Sequence, residues 1–179
     1  GGGGGGGGAG WGRLATASWD GSVKIWDLSK ELPKNNSVHT LIGHETLVMD
    51  IAWRPNDDDC LASVSQDAEL FLWDPRLGVA ATRGEVGAPG FSLAWRPTDN
   101  HALAIGCEDG SIKTFDIRNL SLPVGQTTGA HLGGVRALAY SPAPSGPSGG
   151  SLPPLLASGG DDCRVRCERG GGGGGAAPA

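Results

Sequence analysis

Apolar residues in this chain recur at every second position over short stretches, which is the period of a β-strand. Residues that favour tight turns separate the stretches, among them Asp20-Gly21 and Asp109-Gly110. No stretch of about ten residues shows a 3.6-residue apolar stripe, so helices are at most incidental. The pattern predicts an all-β chain of short antiparallel strands. Its clearest two-residue steps run from Val23 to Ile25, from Leu70 to Leu72 and from Ile112 to Thr114.

A repeated motif divides the chain into units. Ile51-Ala52-Trp53-Arg54-Pro55 recurs as Leu93-Ala94-Trp95-Arg96-Pro97 and, with changes, as Leu138-Ala139-Tyr140-Ser141-Pro142. Each tryptophan of this motif is followed 14 residues later by an aspartate, and six residues after that by an aromatic residue with a second aspartate. Accidental spacing in an unrelated β-sandwich does not explain motifs that recur in one order. The repeated aspartates, Asp20, Asp67, Asp109 and Asp162, stand 47, 42 and 53 residues apart.

The second unit contains every one of these motifs, in the order Gly43-His44, Leu61 to Asp67 and Leu70 to Asp74. It resembles the WD-repeat family, whose units of about 40–45 residues form four-stranded propeller blades. The resemblance covers nearly all of residues 13–167. It implies a partial WD-repeat β-propeller of about four blades, a fragment of a larger ring, because propellers close with roughly 4–8 blades. The expected units are about 13–42, 43–84, 85–128 and 129–168, between disordered glycine-rich tails at 1–12 and 169–179.

In the WD-repeat family, a histidine, a strand serine, a turn aspartate and a tryptophan form a hydrogen-bonded set in each repeat. The resemblance implies such a structural set for His44, Ser65, Asp67 and Trp73, because buried polar groups need partners. The other units hold only parts of the set. The first keeps Ser18, Asp20 and Trp26; the third has Cys107 and Phe115 where Ser and Trp are expected; the fourth keeps His131 and Asp162, with Glu168 at the Trp position.

The composition of the chain argues against several classes of function. The 14 basic and 19 acidic residues give a net charge of −5, and the basic ones are scattered, whereas nucleic-acid binding needs a concentrated positive surface. No apolar run approaches the roughly 18 residues of a membrane helix, and the glycine-rich start lacks the features of a signal peptide. Four cysteines are too few for a disulfide scaffold, so we expect reduced thiols inside the cell.

No motif supplies catalytic chemistry. A phosphate-binding glycine loop and a nucleophile elbow are both missing from the sequence. Cys163 and Cys167 have an unsuitable spacing for zinc, and we expect them to point the same way from one strand. We expect Asp57-Asp58-Asp59 to form a solvated turn rather than a cation site. The sequence therefore predicts no enzyme activity, no catalytic residue, no cofactor and no metal; the expected partners are other proteins, not nucleic acid or membrane.

Specificity in a propeller comes from its loops, because the strands are scaffold. In a WD-repeat blade, with strands lettered a to d from the inside outwards, the b–c turns share a face with the residues that lead into strand a. An exposed Trp19 beside acidic and amide groups is a candidate hot spot for a protein partner, although Trp19 could equally cover the rim of its own blade. The residues predicted for this face are Trp19, Gln66, Glu108 and Asp161 in the turns, with Leu47 and Pro89 before strand a.

The order of segments in units two to four is similar to the WD-repeat subunit of the methylosome. The segments that carry this resemblance are Ser65 to Arg76, Gly87-Ala88-Pro89-Gly90, Ser92 to Pro97, Gly106 to Gly110, Ala130-His131 and Leu156-Ala157-Ser158. That subunit binds a type II protein arginine methyltransferase and helps to present histone and spliceosomal protein tails. The resemblance thus implies a non-catalytic adaptor in cytoplasm and nucleus. The glycine tails, the missing blades and the insertion from Ala143 to Pro153 depart from the pattern.

A second resemblance points to a different partner. Trp73-Asp74-Pro75-Arg76 and Phe115-Asp116-Ile117-Arg118 resemble the Trp-Asp-x-Arg box of substrate receptors in cullin-type ubiquitin ligases. There the arginine contributes to docking on the adaptor, a role suited to its planar fork of donors. This alternative requires Arg76 and Arg118 on the face that carries the c–d loops.

Overall fold

The computed structural model describes residues 12–28, 37–55, 57, 59–142 and 153–169. The regular elements of these residues are all β-strands, so the described part of the chain has no helix that could cross a membrane. The strands are β1 (Arg13–Ala17), β2 (Ser22–Asp27), β3 (Ser37–Ile42), β4 (Val48–Trp53), β5 (Leu61–Ser65), β6 (Glu69–Asp74), β7 (Val79–Glu85), β8 (Gly90–Trp95), β9 (Ala102–Cys107), β10 (Ile112–Asp116), β11 (Gly125–Thr127), β12 (Val135–Tyr140), β13 (Leu155–Gly160) and β14 (Val165–Arg169).

These strands form four antiparallel sheets, each built from consecutive strands. Blade 1 is β1-β2-β3, blade 2 is β4-β5-β6-β7, blade 3 is β8-β9-β10-β11 and blade 4 is β12-β13-β14. The inner strands β4, β8 and β12 contact one another in turn. The predicted partial propeller of four blades is therefore confirmed.

The blades are held together by apolar side chains that alternate between the two faces of each sheet. Strand β5 is buried throughout because Leu61 faces blade 1 while Ala62 and Val64 face blade 3. Three clusters result, one at each junction between consecutive blades. The junction of blades 1 and 2 contains Val23, Ile25, Leu41, Val48, Leu61, Phe71 and Trp73; that of blades 2 and 3 is built around Val64, Leu70, Leu93, Trp95, Ile105 and Phe115; that of blades 3 and 4 contains Ala104, Ile112, Ala130, Val135 and Leu156.

Hydrogen bonds also cross the junctions near the inner strands. The Leu93 amide donates to Asp50 Oδ2 at 2.8 Å, and the Trp95 indole donates to the Ala52 carbonyl at 3.1 Å. Burial raises the pKa of the Asp50 carboxyl, and the two amide donors that it accepts oppose that shift. Because the donors and acceptors belong to different blades, these bonds fix the position of one inner strand relative to the next.

The predicted tails and the insertion fall largely outside the described residues. Of the tail predicted at 1–12, only Gly12 is described. The tail predicted from 169 begins one residue too early, because Arg169 pairs with Leu155 and is the last residue of β14. The ladder between β13 and β14 supplies the backbone partners that hold Arg169 in the sheet.

Two equivalent glycines give a matched test of this packing. Gly106 and Gly159 both lie three residues before the turn aspartate of their units. A Cβ at Gly106 would come within 2.6 Å of Ser92 Oγ and Val135 Cγ1, whereas a Cβ at Gly159 would meet only Ala137 Cβ, at 4.0 Å. We expect Gly106→Ala to lower the free energy of unfolding by about 1–3 kcal/mol through overpacking. Gly159→Ala should leave it unchanged or slightly raised in urea denaturation; equal destabilisation by both would contradict this packing.

Candidate interaction face

The b–c turns of all four blades are shaped by the repeated aspartates. Each carboxylate accepts the amide two residues further on, and the residue between has a positive φ. These bonds bring the chain back for the next strand and leave the turn backbone at the surface. The distances from carboxylate oxygen to amide nitrogen are 2.9 Å for Asp20 and Ser22, 3.0 Å for Asp67 and Glu69, 2.9 Å for Asp109 and Ser111, and 3.1 Å for Asp162 and Arg164. The residues at positive φ are Gly21, Ala68, Gly110 and Cys163.

The expected strand position of Cys163 is wrong. Cys163 lies in the turn of blade 4 with a φ of 60°, whereas Cys167 lies in β14. The turn aspartate imposes the left-handed conformation one residue later, which a continuous strand cannot accommodate. Both cysteines are exposed and form no disulfide. The described residues hold no cluster of three potential metal ligands.

Blade 2 contains a buried chain of hydrogen bonds from its third strand to its b–c turn. Trp73 Nε1 lies 2.8 Å from Ser63 Oγ, and Ser63 Oγ lies 2.7 Å from His44 Nε2. His44 Nδ1 in turn lies 2.8 Å from Asp67 Oδ2. The serine of the set is therefore Ser63, and the prediction of Ser65 was wrong.

The direction of these bonds follows from the groups at the two ends. An indole can only donate a hydrogen bond and a carboxylate can only accept one. Trp73 therefore donates to Ser63 Oγ, and His44 donates from Nδ1 to Asp67. His44 therefore carries a proton on Nδ1, and the indole of Trp73 and the Nδ1–H of His44 each have an acceptor within this set of four side chains.

Ser65 takes a different role because of the strand register. Trp73 pairs with Leu61, so Ser63 lies nearer to the indole than Ser65, which points to the same face two residues further on. The Ser65 hydroxyl instead accepts the Asp67 amide at 3.1 Å and lies 3.1 Å from the Thr46 hydroxyl. It supports the turn rather than the tryptophan.

The other blades contain parts of this set, at positions that correspond to Ser63. In blade 1, Trp26 donates to Thr16 at 3.0 Å, while Ser18 only accepts the Asp20 amide at 3.3 Å. In blade 3, Ile105 rather than Cys107 occupies the serine position, since it lies four residues before the turn aspartate. It is buried together with Phe115 and with Val86 at the histidine position, so the set is replaced there by apolar side chains.

Blade 4 has the histidine half of the set. His131 lies 2.9 Å from both Ser158 Oγ and Asp162 Oδ1, and the hydrogen bond from His131 lowers the pKa of Asp162 to about 2. Glu168, in the place of the tryptophan, lies with its carboxylate 3.3 Å from the Thr127 hydroxyl of blade 3. These contacts order the turn of blade 4 without an indole.

The predicted interaction residues lie along one edge of the blades. Backbone hydrogen bonds join the b–c turns of blades 2, 3 and 4 to the residues that lead into the inner strand of the same blade. Trp19, in the turn of blade 1, is 76% exposed, so most of its ring is not packed against its own blade and the rim-covering alternative is not supported. Leu47 is half-buried. The bonds are Gln66 N to Leu47 O (3.1 Å), Glu108 N to Pro89 O (2.9 Å) and Asp161 N to Gly134 O (3.0 Å).

Sequence reasoning missed three residues on this face. Ile42, the last residue of β3, is 80% exposed, and Leu132, in the connection that leads to β12, is 86% exposed. Each lies one or two positions from a buried histidine, His44 or His131, and that position of an apolar residue is the signal that could have found them. The third is Arg136, whose guanidinium lies 4.0 Å from the centre of the Phe91 ring and is held by Asp161 at 2.8–3.0 Å.

On the opposite face, Arg76 and Arg118 are each held by an aspartate of their own turn. Arg76 binds both carboxylate oxygens of Asp74, at 3.0 and 2.7 Å, and Arg118 binds Asp116 in the same way. The hydrogen bonds from these arginines lower the pKa of Asp74 and of Asp116 to about 2. Arg76 Nη1 also lies 3.2 Å from Asp59, so all three of its nitrogens face carboxylates.

Asp57 and Asp59, from the predicted Asp57-Asp58-Asp59 turn, lie on this opposite face too. Asp57 pairs with Arg54 at 2.8 Å and accepts the Asp59 amide at 2.8 Å. Asp58 lies outside the described residues. The two described carboxylates are thus engaged with arginines and with the turn backbone.

A model of the family "WD domain, G-beta repeat" matches residues 10–27, 35–74 and 123–167, which together make up more than half of the chain. The chain belongs to the WD-repeat family. Residues 75–122, which this model leaves unmatched, include most of blade 3. That blade has Val86, Ile105 and Phe115 in place of the histidine, serine and tryptophan of the WD repeat.

Several curated WD-repeat relatives are similar to parts of the chain. WD-40 repeat-containing protein MSI3 of Arabidopsis thaliana is 26% identical over 63% of this chain and 27% of its own length. Histone acetyltransferase type B subunit 2 of Mycosarcoma maydis is 32% identical over 43% of the chain and 18% of its own length. Nuclear distribution protein PAC1 of Candida tropicalis is 42% identical over 37% of the chain and 12% of its own length. The chain therefore spans about a quarter or less of these relatives.

The two serines on one face of β5 test the assignment of the buried set. Ser63→Ala leaves the buried Trp73 indole and His44 Nε2 without partners, which should lower the free energy of unfolding by about 2–4 kcal/mol. Ser65→Ala removes only contacts at the turn and should cost about 1 kcal/mol or less. Urea denaturation of both variants measures the difference. A larger loss for Ser65→Ala than for Ser63→Ala would refute the assignment.

Proposed function

We propose that this WD-repeat chain is a non-catalytic protein-interaction scaffold, and that it binds its partner through the face of the b–c turns. The observation that carries the proposal is the exposure of three large apolar side chains, Trp19, Ile42 and Leu132, on a face whose turns are pinned by backbone and aspartate hydrogen bonds. Isolated exposed apolar residues are common on protein surfaces, but three on one ordered face are suited to a partner.

Charged and polar groups on the same face add specificity. Arg136 is pre-ordered by Phe91 and Asp161, so binding to it costs little side-chain entropy. Glu108 and Gln66 are exposed at neighbouring turns and offer further hydrogen-bonding groups. Tryptophan and arginine are both enriched among interface hot spots.

Within this scaffold role, we propose that the chain acts as an adaptor of the methylosome type. Its partner would be an arginine methyltransferase, and it would help to present histone or spliceosomal protein substrates in cytoplasm and nucleus. The support is the order of segments from Ser65 to His131, including a third unit without its histidine. A relative named as a subunit of a histone acetyltransferase is a further precedent for a WD-repeat chain beside a histone-modifying enzyme.

The alternative proposal is a substrate receptor of a cullin-type ubiquitin ligase that docks through Arg76 and Arg118. Both arginines are exposed on one face, as this role requires. Each, however, is already paired with its own aspartate, and Arg76 has a second carboxylate at Asp59. Docking would have to replace these pairs, so the geometry favours the adaptor proposal.

A binding assay with two double variants separates the proposals. Immobilised wild-type chain, Trp19→Ala/Leu132→Ser and Arg76→Ala/Arg118→Ala are each offered purified type II arginine methyltransferase and, separately, purified cullin adaptor. We expect the methyltransferase to bind wild type and the arginine variant equally. The Trp19 variant should bind it at least about tenfold more weakly, since hot-spot residues contribute about 2 kcal/mol or more. Cullin adaptor bound by wild type and lost only with the arginine variant, with no binding of methyltransferase, would defeat the adaptor proposal.

A further inference from the structure

Arg96 is a half-buried arginine that has no carboxylate partner among the described residues. It follows directly after β8, and its Nε atom is fully buried and forms no hydrogen bond. The ion pairs of the described side chains do not include its guanidinium. Because a guanidinium keeps its charge in proteins, burying it without a partner is unfavourable. Its charge is therefore available to an acceptor.

The corresponding arginine of blade 2 shows what kind of acceptor this position binds. The two arginines lie in equivalent turns, because Arg54 N donates to the Cys60 carbonyl and Arg96 N donates to the Ala102 carbonyl, both at 2.9 Å. In blade 2, Arg54 Nη2 lies 2.8 Å from Asp57 Oδ2. The arginine at this position of the repeat thus pairs with a carboxylate where one is offered.

In blade 3 the equivalent carboxylate is engaged elsewhere. Asp99 lies three residues after Arg96, but its Oδ1 accepts the His101 amide at 3.0 Å and lies 3.4 Å from His101 Nδ1. Asp116, in the c–d turn of the same blade, is bound by its own arginine. Residues 143–152, in the connection that joins β12 to β13, contain neither Asp nor Glu. A carboxylate from another molecule can therefore complete the pair.

The Tyr140 hydroxyl is a second unsatisfied group at the same place. Tyr140 is the last residue of β12 and has the position of Trp95 in the repeated motif. The Trp95 indole donates to the Ala52 carbonyl, whereas the Tyr140 hydroxyl is buried without a hydrogen-bond partner. Burial raises the pKa of Tyr140, and the neighbouring Arg96 guanidinium opposes that shift. The hydroxyl is therefore protonated at neutral pH and can donate a hydrogen bond.

Both residues lie at a packed junction between two described blades. The inner strands β8 and β12 contact each other, and Tyr140 packs against the apolar cluster at the junction of blades 3 and 4. The connection that follows Arg96 is joined to the c–d turn of blade 3, since Ile117 N donates to the His101 carbonyl at 2.8 Å. The pair therefore lies on the face opposite the b–c turns.

We propose that Arg96 and Tyr140 form a binding site for a carboxylate that a protein partner supplies. The Arg96 guanidinium offers one positive charge and a planar fork of donors, which matches the two oxygens of a carboxylate. The Tyr140 hydroxyl offers a neutral donor beside it. A phosphate dianion fits less well, because one guanidinium balances only part of its charge and Asp99 lies on the same turn. This site is separate from the b–c face, so it can be occupied whichever partner binds there.

NMR of the 179-residue chain labelled with ¹³C-tyrosine tests the proposal, because Tyr140 is its single tyrosine and gives one signal for the carbon that bears the hydroxyl. The chain is titrated at constant ionic strength with N-acetylglutamate amide, which offers a side-chain carboxylate, and with N-acetylglycylglycine, which offers a terminal one. We expect a saturable shift of the tyrosine signal with a carboxylate probe, and the probe that binds more tightly identifies the source. N-acetylglutamine amide, which has no charge, should leave the signal unchanged.

Variants at two equivalent positions show whether the arginine is responsible. Arg96→Gln should weaken carboxylate binding at least about tenfold, because it removes a charged donor. Arg54→Gln is the matched control and should bind like the wild type, since that arginine is already paired within its own turn. Circular dichroism checks that each variant is folded. If Arg96→Gln does not fold, Arg96→Lys replaces it; this change keeps the charge without the planar fork and should also weaken binding.

Three results would overturn the proposal. The first is the absence of a saturable shift with either carboxylate probe. The second is equal binding by the wild type and the Arg96 variant. The third is tighter binding of inorganic phosphate than of both carboxylates, since that result assigns the site to a different anion.

Discussion

The Ser63 hydroxyl is the group on which the organisation of blade 2 depends. It accepts a hydrogen bond from the Trp73 indole and is hydrogen-bonded to His44 Nε2, and His44 donates to Asp67 at the b–c turn. One buried chain of donors thereby links the third strand, the second strand, the approach to the inner strand and the turn. The His44 and Trp73 rings also pack around Phe71 at the junction with blade 1, so the polar set and the apolar contact between blades stabilise the same region.

The four blades show what happens when members of this set change. Blade 3 has lost the histidine, serine and tryptophan together and has Val86, Ile105 and Phe115 instead. Replacing all partners at once by apolar groups is far less costly than removing one of them, because no buried donor is left unpaired. The turn aspartate remains in every blade, since Asp109 still binds the Ser111 amide. The aspartate therefore shapes the turn independently of the buried set, and the turns keep their common face.

Periodicity and repetition were sufficient to predict the strands, the four units and the turn aspartates, because these depend on local chemistry. They were not sufficient to choose between Ser63 and Ser65, because both lie on one face of β5 and only the register with Trp73 distinguishes them. Cys163 was misplaced because it has the left-handed conformation that follows the turn aspartate, and the strand begins only at Val165. The solvent exposure of Ile42 and Leu132 depends on how the blades pack together, and the sequence of a single unit does not encode that packing. The identity of the partner depends on the partner's own surface, which this sequence does not contain.

The claim that the Ser63 hydroxyl anchors the fold is tested most directly by hydrogen exchange of the tryptophan indoles, followed by NMR of the ¹⁵N-labelled chain in heavy water. Trp19 is an internal reference, because its ring is largely exposed. If the indole of Trp73 is held as described, its proton exchanges only when blade 2 opens, at least about a thousandfold more slowly than that of Trp19. Exchange of the Trp73 indole at a rate close to that of Trp19 would contradict the account.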